Sequence, residues 1–242
     1  AASRISILSD TIDVKRFSLS LSKKHYDLIT IAELIPRKRV GIFLEIIAML
    51  VKNNFKIKAL VLGDGILNND LRVLSKQMGL QEVVQFLGFA SDVERYLCAS
   101  KIFLFPTENE GLSLAMLEAM ACGVVPVVSD VDDLSDAVKN NINGRLIDKD
   151  DIDGFVSAVS GLLNDPEKYS LYSKKAVSYI CENYTIEHAS KKWEEILQPF
   201  AAKKNVNAWY FKRLKVMSVF EIWHRLTCIV KFKFLYLKSA KL

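Results

Sequence analysis

The chain has 242 residues, half of them hydrophobic and a quarter charged, which is globular composition and excludes a disordered or fibrous protein. That length suits one large domain or two small ones and buries a core without staples. The net charge of +5 is uneven: residues 203–242 hold ten Lys/Arg and one acid, whereas residues 1–202 carry a net −4, so the overall charge is no guide to partners.

From Tyr26 to about Arg145, short apolar runs alternate with longer amphipathic stretches. Tyr26–Leu34 reads as a strand and Arg39–Asn53 as a helix, with Val40, Phe43, Leu44, Ile47, Leu50 and Val51 as its apolar set. Ala59–Leu62 is a strand ending at Gly63-Asp64-Gly65, and Asn69–Met78 a helix. Val83–Leu87 is a strand ending at Gly88, and Asp92–Ala99 a short helix that Asp92 is placed to cap. Strand Ile102–Phe105, helix Leu112–Cys122, strand Val124–Val128 and short helix Leu134–Lys139 follow, then an Asn143-Gly144 turn. Beyond Asp151 the chain turns helical over Ile152–Leu163, Pro166–Asn183 and Ile186–Leu197.

This alternation predicts an α/β fold: a Rossmann-like parallel sheet with helices on both faces, followed by C-terminal helices. Ligands in such folds sit beyond the carboxyl ends of the strands. The loops at Gly63–Gly65, Gly88 and Pro106–Gly111 are therefore the places to look.

The most informative stretch runs from Phe105 to Gly123: a strand, a loop holding Glu108 and Glu110, then Gly111 and a helix. Backbone amides at a helix start attract an anion, phosphate above all, and Gly111 lets a ligand approach. The helix is nearly all apolar and Glu118 is its only charged residue. A buried carboxylate needs donors; sugar hydroxyls supply them, and so does solvent or the protein itself.

Glu110 and Glu118 are separated by seven residues. The stretch around them closely resembles the E-x7-E signature of retaining glycosyltransferases of family 4, which have the GT-B fold. The resemblance runs from about Ser9 to Leu197 and includes Leu34-Ile-Pro-Arg-Lys38, Leu62-Gly-Asp-Gly65, Phe86-Leu-Gly88, Glu110–Pro126 and Asn143-Gly144. It implies the donor-binding, C-terminal half of such an enzyme over residues 21–202, with residues 1–20 as a remnant of the link between halves. Detectable transfer by this chain alone is not expected, because the N-terminal, acceptor-binding half is its missing partner.

The resemblance also assigns roles. Glu118 binds the ribose of a nucleotide-sugar donor and Glu110 contacts the donor sugar. The amides of Gly111, Leu112, Ser113 and Leu114 hold the diphosphate, and Lys38 neutralises it as it leaves, with Arg37 nearby. Gly88 and Phe89 belong to the loop that lines the base pocket in the family. No metal and no other cofactor is implied. Taken from the residues alone, Lys38 reads equally well as a solvated charge after a strand end.

Two departures stand out. The family usually has an arginine five residues before the lysine; here that position is Glu33. The glycine pair that often follows the Pro-Val-Val strand reads Asp132-Asp133, and the next acid is Asp136. Asp130-Val-Asp132 mimics a metal-binding pair but reads better as a cap and turn. Gly63-x-Gly65 lacks the third glycine of a dinucleotide fingerprint, since Asn68 stands there.

The cysteines at 98, 122, 181 and 228 have no C-x-x-C spacing and read as reduced thiols. No apolar run reaches about 18 residues and no signal peptide is seen. The expected location is cytoplasmic, peripheral on the inner face of the membrane, in the synthesis of cell-surface polysaccharide. The contact expected with an anionic lipid surface comes from residues 203–242, which interleave bases with eight of the chain's 24 aromatics. A helix packing back on the domain explains that tail as well, and Lys212–Arg225 faintly resembles the leader of heparinase II/III-like proteins, which would make it the start of a further module. No nucleic-acid motif is present. Two other functional readings remain beside transfer: a non-catalytic nucleotide-binding or scaffold module, motivated by Glu33, and a GT-B-type nucleotide-sugar epimerase.

Overall fold

The computed structural model describes residues 10–19 and 24–201. The basic tail, 203–242, lies outside the described residues, as do 1–9 and 20–23. One compact unit spans Asp10–Thr185, and helix Ile186–Ala201 belongs to a second.

The first unit holds one sheet of six parallel strands: β1 (Tyr26–Ile31), β2 (Ala59–Leu62), β3 (Val84–Gly88), β4 (Ser100–Phe105), β5 (Val125–Ser129) and β6 (Arg145–Ile147). Among the described residues, seven α-helices of this unit join or follow them: α1 (Val40–Lys52), α2 (Asn68–Gln77), α3 (Val93–Cys98), α4 (Leu114–Ala121), α5 (Leu134–Ala137), α6 (Ile152–Asn164) and α7 (Pro166–Asn183). The sheet order is β3-β2-β1-β4-β5-β6.

The strands read as continuous apolar runs because both faces of the sheet are covered. Alternate residues serve opposite faces. Leu28, Val61, Ile102, Leu104 and Val127 join one core with Phe43, Leu44 and Ile47 of α1 and Phe155 of α6. Ile29, Leu60, Phe103, Phe105 and Val128 join the other with Met116, Leu117 and Met120 of α4 and Ile180 of α7. Ile12 and Phe17 are buried in this second core, and the Ile12 amide donates to the Tyr184 carbonyl at 2.7 Å. Ile12 and Phe17, from the described part of the stretch expected as a link, thus pack on the domain.

The helix and strand pattern follows the sequence reading, with local corrections. β1 ends at Ile31, three residues short of expectation: Ala32 still donates to Leu62 O at the end of β2, but Leu34 donates to Asp64 O, inside the loop after β2. A short 3-10 turn, Pro36–Lys38, precedes α1. Asp92 does not cap α3 with its side chain; its carboxylate lies 3.8 Å from Arg95 instead. α4 begins at Leu114 rather than Leu112, with Ser113 Oγ accepting the Met116 amide at 3.4 Å as its cap. β6 was not foreseen.

The order 3-2-1-4-5-6 reverses between β1 and β4. There the chain leaves adjacent strands toward opposite faces, the place at the carboxyl ends where sheets of this kind hold a ligand crevice. The loops after β1 and β4, 32–39 and 106–113, are the ones that carry Arg37, Lys38, Glu110 and Gly111.

Candidate donor site at the sheet switch point

Three loops are tied together at this crevice. Thr107 is wholly buried, and its hydroxyl proton is shared between the carbonyls of Arg37 at 3.1 Å and Asn109 at 3.0 Å. The Arg37 carbonyl also accepts the Glu108 amide at 2.9 Å. On the other side, the Glu110 amide donates to Asp132 Oδ2 at 2.9 Å. The β4–α4 loop is thereby moored to the loops after β1 and β5.

Lys38 and Glu110 meet in direct ion-pair contact, their side chains only 10% and 16% exposed. The lysine is therefore no solvated surface charge. Its ammonium lies 5.3 Å from the Phe105 ring centroid at the end of β4. Burial, then the neighbouring Arg37 cation, push the Lys38 ammonium down to about 8, with Glu33 pulling the other way. Arg37 is more open and its guanidinium stands 3.8 Å from the Glu110 carboxylate. Arg39 faces elsewhere: it donates to Lys149 O at 2.8 Å and pairs with Asp150 at 3.0 Å. Of the basic run 37–39, the first two belong to the crevice.

Gly111 to Leu114 lead into α4. The first amides of a helix have no intrahelical acceptor, and Gly111 follows directly on Glu110, the ion-pair partner of Lys38. A Cβ at Gly111 would meet nothing within 4 Å, and Leu114 is half exposed, so this helix start has room for a ligand. Gly63 and Gly65 serve another purpose. A Cβ on Gly63 would lie 1.9 Å from Ala32 O, and one on Gly65 within 2.6–2.8 Å of the Leu34 backbone. These glycines let the β2–α2 loop close against the β1–α1 loop.

Glu118, one helix turn further, is half-buried. Burial raises its carboxyl above the ordinary range; Arg16 opposes the shift and Glu94 adds to it. Arg16 pairs with Glu94 at 2.7 Å and donates to Ser91 O at 3.0 Å, so Glu118 faces the region after β3. Phe89, 88% exposed, stands in that same loop, and Gly88 adopts φ +71 and accepts the Gly63 amide. The structure thus groups Lys38, Arg37, Glu110 and the start of α4 around the crevice, with Gly88 and Phe89 two strands away at the sheet edge.

Sequence reasoning missed Thr107, Arg16 and the use of Asp132. The Asp132-Asp133 departure was the one visible signal. Asp136, kept as structural, accepts the Tyr179 hydroxyl at its carbonyl at 2.7 Å. Among the described residues no cluster of His, Cys, Asp and Glu is arranged to hold a metal ion.

A doubly wound parallel sheet with Lys38, Arg37 and a helix start at its switch point defines a Rossmann-like domain. The chain belongs to the glycosyl transferases group 1 family, whose model matches residues 11–198. It is 28% identical over 198 residues to UDP-Gal:alpha-D-GlcNAc-diphosphoundecaprenol alpha-1,3-galactosyltransferase of Escherichia coli, covering 76% of this chain and 51% of that protein. It is 26% identical over 164 residues to poly(ribitol-phosphate) alpha-N-acetylglucosaminyltransferase of Staphylococcus aureus, covering 67% of this chain and 33% of that one. The chain spans about half the length, or less, of the curated relatives it matches. Among solved structures, Anabaena HepE in complex with UDP superposes with a TM-score of 0.74 at 18% identity, covering 80% of this chain and 57% of that one. The C-terminal domain of LpcC, a group 1 glycosyl transferase from Francisella tularensis, does so with a TM-score of 0.65 at 20% identity, covering 72% of this chain and 99% of the other. The sheet is one half of a GT-B fold, and the chain is glycosyltransferase-related throughout its first unit.

Proposed function

We propose that this chain is the donor-binding half of a retaining glycosyltransferase, taking a sugar from a nucleotide-diphosphate donor to an acceptor in cell-surface polysaccharide or glycoconjugate synthesis. The observation that carries the reading is the buried Lys38–Glu110 contact beside the start of α4. Lys38, Arg37 and the Gly111–Leu114 amides surround the place where a diphosphate fits. Glu110 is the carboxylate next to it, set to accept hydrogen bonds from a donor sugar. Glu118 accepts from the ribose hydroxyls, and Phe89 offers a ring to the base. UDP is the first nucleotide to test, since HepE was solved with it and the E. coli relative is named for UDP-Gal.

The protein's share of the chemistry is electrostatic. As the bond from the anomeric carbon to the diphosphate oxygen breaks, negative charge grows on that oxygen. A protonated Lys38 and prealigned amides stabilise the charge more in the transition state than in the ground state. The acceptor is bound by a second Rossmann-like half. The work is done at the cytoplasmic face of the membrane; among the described residues no helix is long and apolar enough to cross it.

Glu33 supports a second reading, a nucleotide-binding scaffold that has lost transfer. It is exposed and near enough to Lys38 to pull its proton affinity upward, where the related enzymes would offer another cation. Calorimetric titration with UDP, GDP and ADP, repeated on Glu118→Ala, tests both. One nucleotide bound, and more weakly by the variant, supports the donor site; no binding by any of the three counts against it. Transfer by a two-domain protein that Glu110→Ala abolishes then separates enzyme from scaffold.

A further inference from the structure

We propose that Asp132 is a positioning residue for Glu110, and that it governs recognition of the donor's sugar rather than of its nucleotide. The proposal rests on the donor-site reading of the crevice. Its starting point is the 2.9 Å hydrogen bond from the Glu110 amide to Asp132 Oδ2, across 22 residues of sequence and between the loops after β4 and β5.

The backbone at Asp132 makes this bond informative. Its φ is +43, in the left-handed region that glycine enters freely and other residues enter at a cost. The glycosyltransferases this chain resembles often carry glycine at that position. A glycine would relieve the strain and would hold nothing. Aspartate is among the few side chains that tolerate the conformation, and here its carboxylate accepts a charge-assisted hydrogen bond from the Glu110 amide.

Glu110 is thus fixed at both ends. Its carboxylate is held by Lys38, with Arg37 at 3.8 Å, and its backbone is held by Asp132. A diphosphate arriving at Lys38 and Arg37 competes for the same two cations. Once they turn to the phosphate oxygens, the Glu110 side chain loses its own partners and is free to accept from sugar hydroxyls. The backbone anchor at Asp132, the bond made by the Glu110 amide itself, then weighs most on where that carboxylate sits. Asp132 accordingly contributes little to UDP binding and much to the added affinity that a sugar confers.

The experiment compares the 242-residue chain with Asp132→Gly and Asp132→Asn. Each is titrated with UDP and with UDP-glucose, UDP-galactose and UDP-N-acetylglucosamine. Hydrogen exchange at the Glu110 amide is followed without ligand. In Asp132→Gly the advantage of the preferred UDP-sugar over UDP falls about tenfold, UDP affinity changes less than twofold, and the Glu110 amide exchanges faster. Asp132→Asn keeps an acceptor and the tolerated backbone, and restores most of both. The glycine variant folds, because it removes strain. An unchanged sugar advantage with UDP binding intact overturns the role of Asp132 alone, as does unchanged exchange, equal weakening of UDP and UDP-sugars, or a wild type that gains nothing from the sugar. Failure of the wild type to bind UDP or any of the sugars sinks the donor-site reading itself, and with it this use of Asp132, even if exchange shows the anchor intact.

Discussion

The hydroxyl of Thr107 reaches the carbonyl of Arg37, 70 residues earlier, at 3.1 Å, from a position with no solvent exposure. That bond sits under the crevice and joins the two loops at the switch point. Thr107→Val keeps the shape and removes the proton. The Arg37 carbonyl still has the Glu108 amide, but the Asn109 carbonyl loses its donor. The expected cost is about 1–2 kcal/mol of stability, read as a lower urea midpoint at unchanged m-value. UDP affinity should fall several-fold, because Arg37 and Glu110 no longer share one frame. An unchanged midpoint would show that the loops are held by other means.

Lys38 sets a pH dependence. Burial and Arg37 bring its ammonium down to about 8 from the 10.5 of an unfolded lysine. A diphosphate needs the charged form. Below pH 8 the charge is present and UDP affinity is flat; above it each binding event must also take up a proton, and the dissociation constant rises toward tenfold per pH unit. Lys38→Met removes the slope and weakens UDP about 10- to 100-fold at pH 7. Calorimetry from pH 6.5 to 9.5 on both proteins checks it, and parallel slopes would exclude Lys38 as the titrating group.

The sheet was legible because its strands are buried on both faces. Runs such as Ala59–Leu62 and Val125–Val128 carry a continuous apolar signal that local sequence alone displays. β6 was not, since three residues, Arg145–Ile147, become a strand only by pairing with Val127–Ser129. The same physics divides the site. The loop with Glu110 and the helix with Glu118 show in one continuous stretch, although α4 begins two residues later than its apolar run suggests, whereas the burial of Lys38 and the partners of Thr107 and Asp132 depend on which loops the topology brings together. Nothing near Asp132 in sequence announces the Glu110 amide. Only its glycine-like position, held at positive φ, hinted at a special backbone.

Two glycines should part company. Gly65→Ala drives a Cβ into the Leu34 backbone at 2.6–2.8 Å, which no rotamer relieves. The β2–α2 loop must retreat from Leu34, whose carbonyl accepts the Leu67 amide and whose amide donates to Asp64 O. A loss of about 2–4 kcal/mol is expected, in the range of overpacking with broken backbone bonds. Gly111→Ala meets open space and should change stability by no more than about 0.5 kcal/mol. It nonetheless places a methyl where a diphosphate approaches the helix start, and UDP affinity should drop. Thermal unfolding with and without UDP distinguishes the two; a Gly111→Ala protein that binds UDP normally would move the phosphate away from this loop.

Glu118 offers a trade between stability and binding. Its carboxyl is raised chiefly by burial, with Arg16 only partly compensating. The folded protein therefore binds this proton more tightly than the unfolded chain does. Ionised Glu118 costs stability at neutral pH, and the cost disappears as pH falls below its folded value. Glu118→Gln removes the charge and keeps the shape, so the free protein should gain about 1–3 °C in Tm at pH 7 and nothing near pH 4. The amide accepts from ribose hydroxyls through one oxygen only and without charge, so UDP should bind about tenfold more weakly. A protein both less stable and weaker in binding would make Glu118 a structural partner of Arg16. One more stable, with UDP affinity intact, would remove it from the nucleotide site altogether.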